Sequence, residues 1–583
     1  MRVLLTTLNS KFIHSNLALR YLRDSLGSLP VKVIIDEFTI NDNLEPVIGN
    51  IYRSKPDILA FSCYIWNIEK TLVIAKTLKR VRTDLIIILG GPEVSYGSSS
   101  IMEENPYIDY IVKGEGEITF PLLIDCIISE KHPNRIDGIT YRLKGKIIDN
   151  REREPVKDLD IIPFPYEEGF DKLKNKIIYY ETIRGCPFEC QYCLSSLSRG
   201  VRYLPLDRVR RELKTFVDSG IPQVKLVDRT FNCNPERARK IFQTIIEMGG
   251  NTNFHFEICG DLLDEDTLDL LKSAPPGLLQ FEIGVQSTYG KTLESIRRRT
   301  DFTRLSARVK KLRDYKNIHL HLDLIAGLPK EDYHTFKESF NDVYRLSPDR
   351  LQLGFLKLLK GSGLRKNAQK WGYVFTPYTP YEVLENQDIT YDEILKLKDI
   401  EDLVEKYYNS HRFENSLLYL GNIFGNDYFS LYEEFADYWR RMGLTGVSHS
   451  LFSLYKIIFQ FGLGIKNIDQ EYFKELIRLD YVSWQRPSSY PEGIEGEQGK
   501  DSKGKIRRFF NDPDNIARYL PDLIKYTPKQ ISRRAHIEFF AYDVTIDPTR
   551  GKRVKKPTQI LFNYDTRGQI DSKAKITKLI NLC

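Results

Sequence analysis

Residues 176–193 read KIIYYETIRGCPFECQYC: an apolar, β-branched run followed by three cysteines within eight residues. The run has the composition of a buried strand, so the cysteines fall on the loop at its carboxyl end. The chain has only eight cysteines in 583 positions, and Cys186, Cys190 and Cys193 are spaced C-x3-C-x2-C. Thiolates suit soft metal centres: tetrahedral zinc takes four ligands, whereas an iron-sulfur cluster can be held by three and leave one iron open. No fourth cysteine or histidine lies close by, the next cysteine being Cys233. On spacing alone, a zinc site completed from afar, or three unrelated thiols, stays open.

Downstream, strand-like runs at 223–231, 253–260, 278–287, 318–329 and 350–359 alternate with helical patterns such as LDRVRRELKTFVDSG and PERARKIFQTIIEMGG. With the strand before the cysteines this makes six β/α units, which predicts a parallel barrel, complete or partial, with ligands at the carboxyl ends of its strands. Upstream, runs at 3–8, 31–38, 57–65, 84–91 and 107–114 alternate with helical segments. They predict a doubly wound, Rossmann-like α/β domain. IDGITYRLKGKIID (136–149) reads as a hairpin turning at Lys144 and Gly145, and NREREPVKDLDIIPFPYEE (150–168) as a linker. From about 364 the chain is mostly helical to about 480. SSYPEGIEGEQGKDSKGK (488–505) then reads as a flexible loop, and HIEFFAYDVTI and TQILFNYDT as paired strands. The expected divisions are 1–135, a hairpin and linker at 136–175, a barrel at 176–362 and a third domain at 363–583.

A chain of 583 residues can bury several cores, and 41% hydrophobic with 28% charged residues excludes a disordered or fibrous protein. Apolar runs such as DLIIILGG (84–91) fall short of the roughly 20 residues of a membrane span. The N-terminus turns polar too early for a signal peptide. The expected compartment is the cytoplasm, where thiols stay reduced and a cysteine cluster signals metal binding or catalysis. Net charge is +7, yet residues 503–583 alone carry 18 Lys and Arg against 8 Asp and Glu, with GKRVKKP (551–557) the densest stretch. Such a segment can hold a nucleic acid, and a solvated surface reads the same way.

RGCPFECQYC, with aromatic Tyr192 before its last cysteine, resembles the signature of the radical S-adenosylmethionine (SAM) superfamily. The resemblance covers about residues 176–362. It implies a 4Fe-4S cluster on Cys186, Cys190 and Cys193 whose open iron chelates SAM. An electron from a donor such as flavodoxin or ferredoxin then cleaves SAM to a 5'-deoxyadenosyl radical. Glu257 in FEICGD, Gln286 in IGVQS, Arg299 in SIRRRT and Asp323 in HLDLIAGLP follow in an order similar to the coproporphyrinogen-dehydrogenase-like branch, where such residues hold the SAM ribose and methionine groups. Arg299 can pair a carboxylate, and Glu257 or Asp323 can accept hydroxyls or an ammonium; alone, each reads as a satisfied polar residue at a barrel rim. LVDRTFN (226–232) stands where the family often has a glycine-rich acidic motif, and Asp228 is the candidate there.

LGGPEVS (89–95) and KGEGE (113–117) each follow a strand, where glycines admit a ligand close to the backbone and where a tight turn needs them equally. Ahead of such a barrel they resemble the cobalamin (B12)-binding domain of cobalamin-dependent radical SAM enzymes, over about residues 1–130. That resemblance implies cobalamin contacts from Ser62, Tyr64, Trp66, Gly90, Gly91, Pro92, Glu93, Gly114, Glu115 and Gly116. No D-x-H-x-x-G motif is present, and His14 in NSKFIHSN reads as a polar loop residue. The lower cobalt face would then be covered by Tyr64 and Trp66 of SCYIWN, for which plain aromatic packing is the alternative. Cys63, Cys126, Cys233, Cys259 and Cys583 are too scattered for a second cluster, which weighs against methylthiotransferases and maturases. The expectation is a cobalamin-dependent radical SAM enzyme methylating an unactivated carbon or a phosphinate. A radical rearrangement or cyclisation, or an RNA-modifying activity using the basic segment, is the alternative. The C-terminal third matches no motif, and the substrate is not legible.

Overall fold

The computed structural model describes residues 1–197, 200–496, 502–550, 554–565 and 573–579, in two compact units, Met1–Ile394 and Leu395–Cys583. The first opens with β1 (Arg2–Asn9), β2 (Lys32–Thr39), β3 (Ile58–Ser62), β4 (Ile86–Gly90) and β5 (Tyr110–Val112). They form a parallel sheet in the order β2-β1-β3-β4-β5. Central β3, ILAFS, is buried along its whole length. Both faces are covered, which is why these strands read as continuous apolar runs. Leu4, Leu59, Phe61 and Ile87 pack against helices Leu44–Arg53 and Ile68–Val81. Val3, Leu5, Ala60 and Ile88 pack against helices Leu17–Ser25 and Gly116–Ile128. Each such Val, Leu, Ile or Phe side chain removed from water contributes roughly 1.5–3 kcal/mol.

The hairpin turns where expected, at Lys144 (φ 46°) and Gly145 (φ 81°). Its strands β6 (Ile139–Leu143) and β7 (Lys146–Asp149) extend the first sheet: β6 pairs antiparallel with β5, which makes the sheet seven-stranded.

The second sheet begins at β8 (Ile178–Tyr180). A separate antiparallel ribbon, β9 (Ile183–Arg184) with β10 (Arg202–Tyr203), brackets the cysteine loop. The sheet then continues through β11 (Gln223–Leu226), β12 (Asn253–Ile258), β13 (Leu279–Gln286), β14 (Ile318–Ala326) and β15 (Arg350–Phe355). All six strands are parallel in sequence order, with β8 and β15 at the ends, so the barrel is partial. Along β13, Leu279, Phe281, Ile283 and Val285 are buried and the residues between them half-buried. Period two thus turns Glu282, Gly284 and Gln286 to the opposite, lumen face. Register sets Glu257 beside Glu282, and Gly284 beside Asp323.

The first unit runs on past residue 362 to Ile394. Leu356 N–H donates to Ala326 O and Val383 N–H to Leu356 O, which ties β16 (Val374–Phe375) and β17 (Val383–Glu385) to the end of β14. The second unit is largely helical, with an aromatic core that includes Tyr407, Phe413, Phe435 and Phe461. It ends in an antiparallel sheet of β18 (Ala535–Phe540), β19 (Thr558–Asn563) and β20 (Lys575–Leu579), the first two being the expected paired strands. The loop expected to 505 is shorter, because Ser502–Asn511 is helical; residues 497–501 lie outside the described residues, as do Gly551–Arg553 of the basic stretch and Cys583. Among the described residues no helix is long and apolar enough to cross a membrane.

Candidate active site

Gly185 opens the cysteine loop with φ +91°, and a Cβ there would lie 2.1 Å from Gly200 O, so only glycine lets the arms of the loop close. Both arms are pinned from outside. Arg202, on β10, reaches Glu115 at 2.6 Å. Arg184, on β9, pairs with Glu181 at 2.6 Å, with Glu117, and with Glu115 at 3.6 Å. Within the loop, Cys193 N–H donates to Cys190 O and Gln191 N–H to Ile296 O.

Cys186, Cys190 and Cys193 all carry free thiols and line one cavity of about 180 Å³. Its wall continues through Tyr192, Glu257, Glu282, Gln286, Arg298 and Asp323. Among the described residues no three His, Cys, Asp or Glu side chains converge on a single metal ion; the thiols are spread round the cavity wall. Arg298 donates to Tyr192 OH at 3.1 Å and to Gly284 O, with Cys190 Sγ at 3.9 Å. Burial pushes the Cys190 thiol up, and the Arg298 guanidinium opposes it. Deeper in the lumen, Lys225 Nζ lies 2.9 Å from Glu282 and 3.7 Å from Glu257, and His255 Nε2 lies 3.0 Å from Glu282. Burial works against the Glu282 charge, but the His255 and Lys225 contacts hold its carboxyl well below the usual range. Gln286 sits at a bulge with φ 72°, its side chain folded over bare Gly284, where a Cβ would meet Gln286 Nε2 at 2.3 Å.

The donor set fits the implied groups. Gln286 Oε1 and Arg298 Nε are buried without a hydrogen-bond partner on the wall that carries the thiols, leaving polar capacity for a ligand, while Asp323 Oδ1 on the same wall lies 3.0 Å from His321 Nε2.

A second, larger cavity of about 650 Å³ is floored by the strand ends of the first sheet: Ser62, Tyr64, Trp66, Gly90, Gly91, Pro92, Gly114, Glu115 and Gly116. The glycines present backbone there, and at Gly114 (φ +69°) nothing lies within 4 Å of a Cβ position. Tyr64 and Trp66 stack on each other, centroids 4.4 Å apart and planes 4° from parallel, while Trp66 Nε1 donates to Leu8 O. His14 lines the same cavity, with Nδ1 2.6 Å from Tyr179 OH. The two cavities share Ser195 and Arg229 on their walls.

Three expected contacts are placed elsewhere. Arg299 is exposed and off the cavity wall, and the preceding Arg298 stands on it. Helix Gly290–Ser295 ends just before, and Arg297 turns the chain at φ 54°, so which of three consecutive arginines points inward is set by a turn that spacing does not reveal. Asp228 is fully buried and spent on backbone, accepting from Thr182 N–H, Thr182 Oγ1 and Ile183 N–H at 2.6–2.9 Å, and burial pushes its carboxyl up to about 7. Glu93 is off the cavity wall and accepts instead from Tyr381 OH at 2.5 Å and Lys360 Nζ at 2.9 Å. Glu115 lines the cavity, but its carboxylate is engaged: burial would raise it, while hydrogen bonds from Arg202 and Val156 N–H keep it below its ordinary value. Sequence reading missed Glu282 and Lys225, although polar residues alternating with apolar ones in QVKL and LQFEIGVQ mark the lumen face.

Comparison with known proteins divides the chain into three matches: B12 binding domain at 3–124, radical SAM superfamily at 180–343, and a protein of unknown function (DUF4080) at 369–562. An uncharacterized methyltransferase of Pyrococcus horikoshii, PH0819, is 26% identical over 407 residues, covering 68% of this chain and 87% of the relative. The cobalamin-dependent radical SAM methyltransferase TokK of Streptomyces tokunonensis is 25% identical over 307 residues, half of this chain and 45% of TokK. Among solved structures, the cobalamin-dependent S-adenosylmethionine radical enzyme OxsB, with aqua-cobalamin and S-adenosylmethionine bound, has the same fold at a TM-score of 0.58 and 15% identity, covering 90% of this chain and 84% of OxsB. The chain thus joins a B12 binding domain, a radical SAM domain and a DUF4080 region, in that order.

Proposed function

We propose that this protein is a cobalamin-dependent radical SAM enzyme that methylates an unactivated carbon. The observation that carries the reading is the adjacency of two cavities, one lined by three thiols and one floored by glycines, with Ser195 and Arg229 common to both walls. When bound, a cluster of this kind supplies the electron that cleaves SAM, and cobalamin supplies a methyl carrier. The chain's own part is to hold and orient. Cys186, Cys190 and Cys193 provide thiolates at the mouth of the barrel. Arg298, with its unpaired Nε, suits the SAM carboxylate, while Gln286, Glu257 and Asp323 suit hydroxyls and the ammonium. The Tyr64–Trp66 stack would offer bound cobalamin an apolar surface in the larger cavity. PH0819 and TokK, both named as methyltransferases, favour methyl transfer over rearrangement. An external one-electron donor of the flavodoxin or ferredoxin class is required.

Incubating anaerobically reconstituted protein with methyl-labelled SAM and a reductant tests this. Both 5'-deoxyadenosine and S-adenosylhomocysteine are expected; 5'-deoxyadenosine without S-adenosylhomocysteine would exclude methyl transfer.

A further inference from the structure

Residues that follow β15 touch the loops of both cavities. Glu93, in the turn GGPE, is 2% exposed, and a buried carboxylate persists only when paired. Both of its partners, Tyr381 OH and Lys360 Nζ, come from the segment 357–385, far along the chain. Arg365 lies 4.5 Å from the centroid of the Tyr381 ring and fixes that ring in turn. The opposite side of the same segment bears on the cysteine loop. Leu364 N–H donates to Gln191 O at 2.9 Å, and Gly363 lies so close that a Cβ would come within 2.1 Å of Gln191 Oε1. Between these contacts, Gly361 (φ +87°) admits the Tyr96 ring, which a Cβ would meet at 2.8 Å. Tyr96 lines the larger cavity, and Gln191 stands between Cys190 and Tyr192.

We infer that residues 357–385 form a brace shared by the two cofactor sites, with Lys360 and Tyr381 as positioning residues, so that filling of the cobalamin cavity and filling of the thiol cavity favour each other. The inference rests on the functional reading above and assigns a role to the first part of the DUF4080 match, which begins at 369. Shifting the GGPE turn strains Lys360 and Gly361, and Gly363 and Leu364 carry that strain directly to Gln191. Because coupling between two binding sites is reciprocal, either cofactor reports it.

The test is a spectral titration of the full chain with hydroxocobalamin under anaerobic conditions, with iron removed and with the cluster reconstituted. Wild type should bind cobalamin about fivefold tighter or more in the reconstituted form. Tyr381→Phe removes one hydroxyl and should keep its thermal midpoint within a few degrees, whereas Lys360→Met also unpairs a buried carboxylate and lowers the midpoint further; in both, the ratio of the two affinities falls toward one. A merely structural hydrogen bond would weaken both affinities and leave the ratio unchanged, and that result overturns the brace. So does a wild-type ratio of one with both cofactors bound. A wild-type chain that takes up neither iron nor cobalamin overturns the functional reading together with the brace.

Discussion

Glu331, 1% exposed in the turn after β14, accepts the Ser287 hydroxyl at 2.5 Å and the Ser339 hydroxyl at 3.1 Å, and burial pushes its carboxyl up to about 8 from 4.5. A raised carboxyl favours the fold while protonated, so its contribution is complete below about pH 4.5 and drains as pH climbs toward 8. Glu331→Gln keeps an acceptor and cannot titrate. Between pH 5 and pH 8 the wild-type melting temperature should therefore fall several degrees further than that of Glu331→Gln, as read by differential scanning fluorimetry; parallel curves would mean that Glu331 is ionised throughout. Arg298 and Arg299 permit a sharper comparison. Loss of a charged donor from a closed cavity should make Arg298→Leu bind SAM about tenfold more weakly or worse, whereas Arg299→Leu stays within about twofold by equilibrium dialysis. Equal losses would remove Arg298 from the site. The sequence reading named Arg299, and the structure sets Arg298 on the cavity wall instead, because a left-handed turn at Arg297 decides the direction of each side chain.

The glycine-bearing turns were legible at the scale of elements, since any strand end that receives a ligand or turns sharply needs the same residue type. What each turn spends its glycine on was not. Gly91, φ +104°, lies where a Cβ would be 2.6 Å from Cys63 O, a backbone atom that cannot step aside; Gly97, φ +76°, faces open space. Gly91→Ala should cost about 1–3 kcal/mol and sharply reduce cobalamin uptake, while Gly97→Ala should cost about 1 kcal/mol and leave uptake intact. Cobalamin absorbance after gel filtration separates the two. The partners of the acidic residues in these turns were not legible, for a physical reason: Glu93 and Glu115 find cations from Lys360 and Arg202, and no local pattern announces partners so far along the chain.

At the scale of the whole molecule, alternation of strand and helix made both parallel sheets legible, because each βαβ unit is a local pattern and sequential order is the simplest way to join them. The hairpin that completes the first sheet was visible as a hairpin, but its pairing with β5 rests on contacts that its own residues do not encode. Tertiary pairing also decides the state of the cysteine loop. With its arms zipped at β9 and β10, each arm tied to carboxylates of a neighbouring turn, the ends of the loop are held through protein contacts alone. Assembly of the metal centre then needs only the thiols to draw together on a loop whose ends are already tied. Chelation followed by return of iron and sulfide should restore the original absorption spectrum through repeated cycles, with no slow phase in tryptophan fluorescence, and the empty protein should store as well as the loaded one.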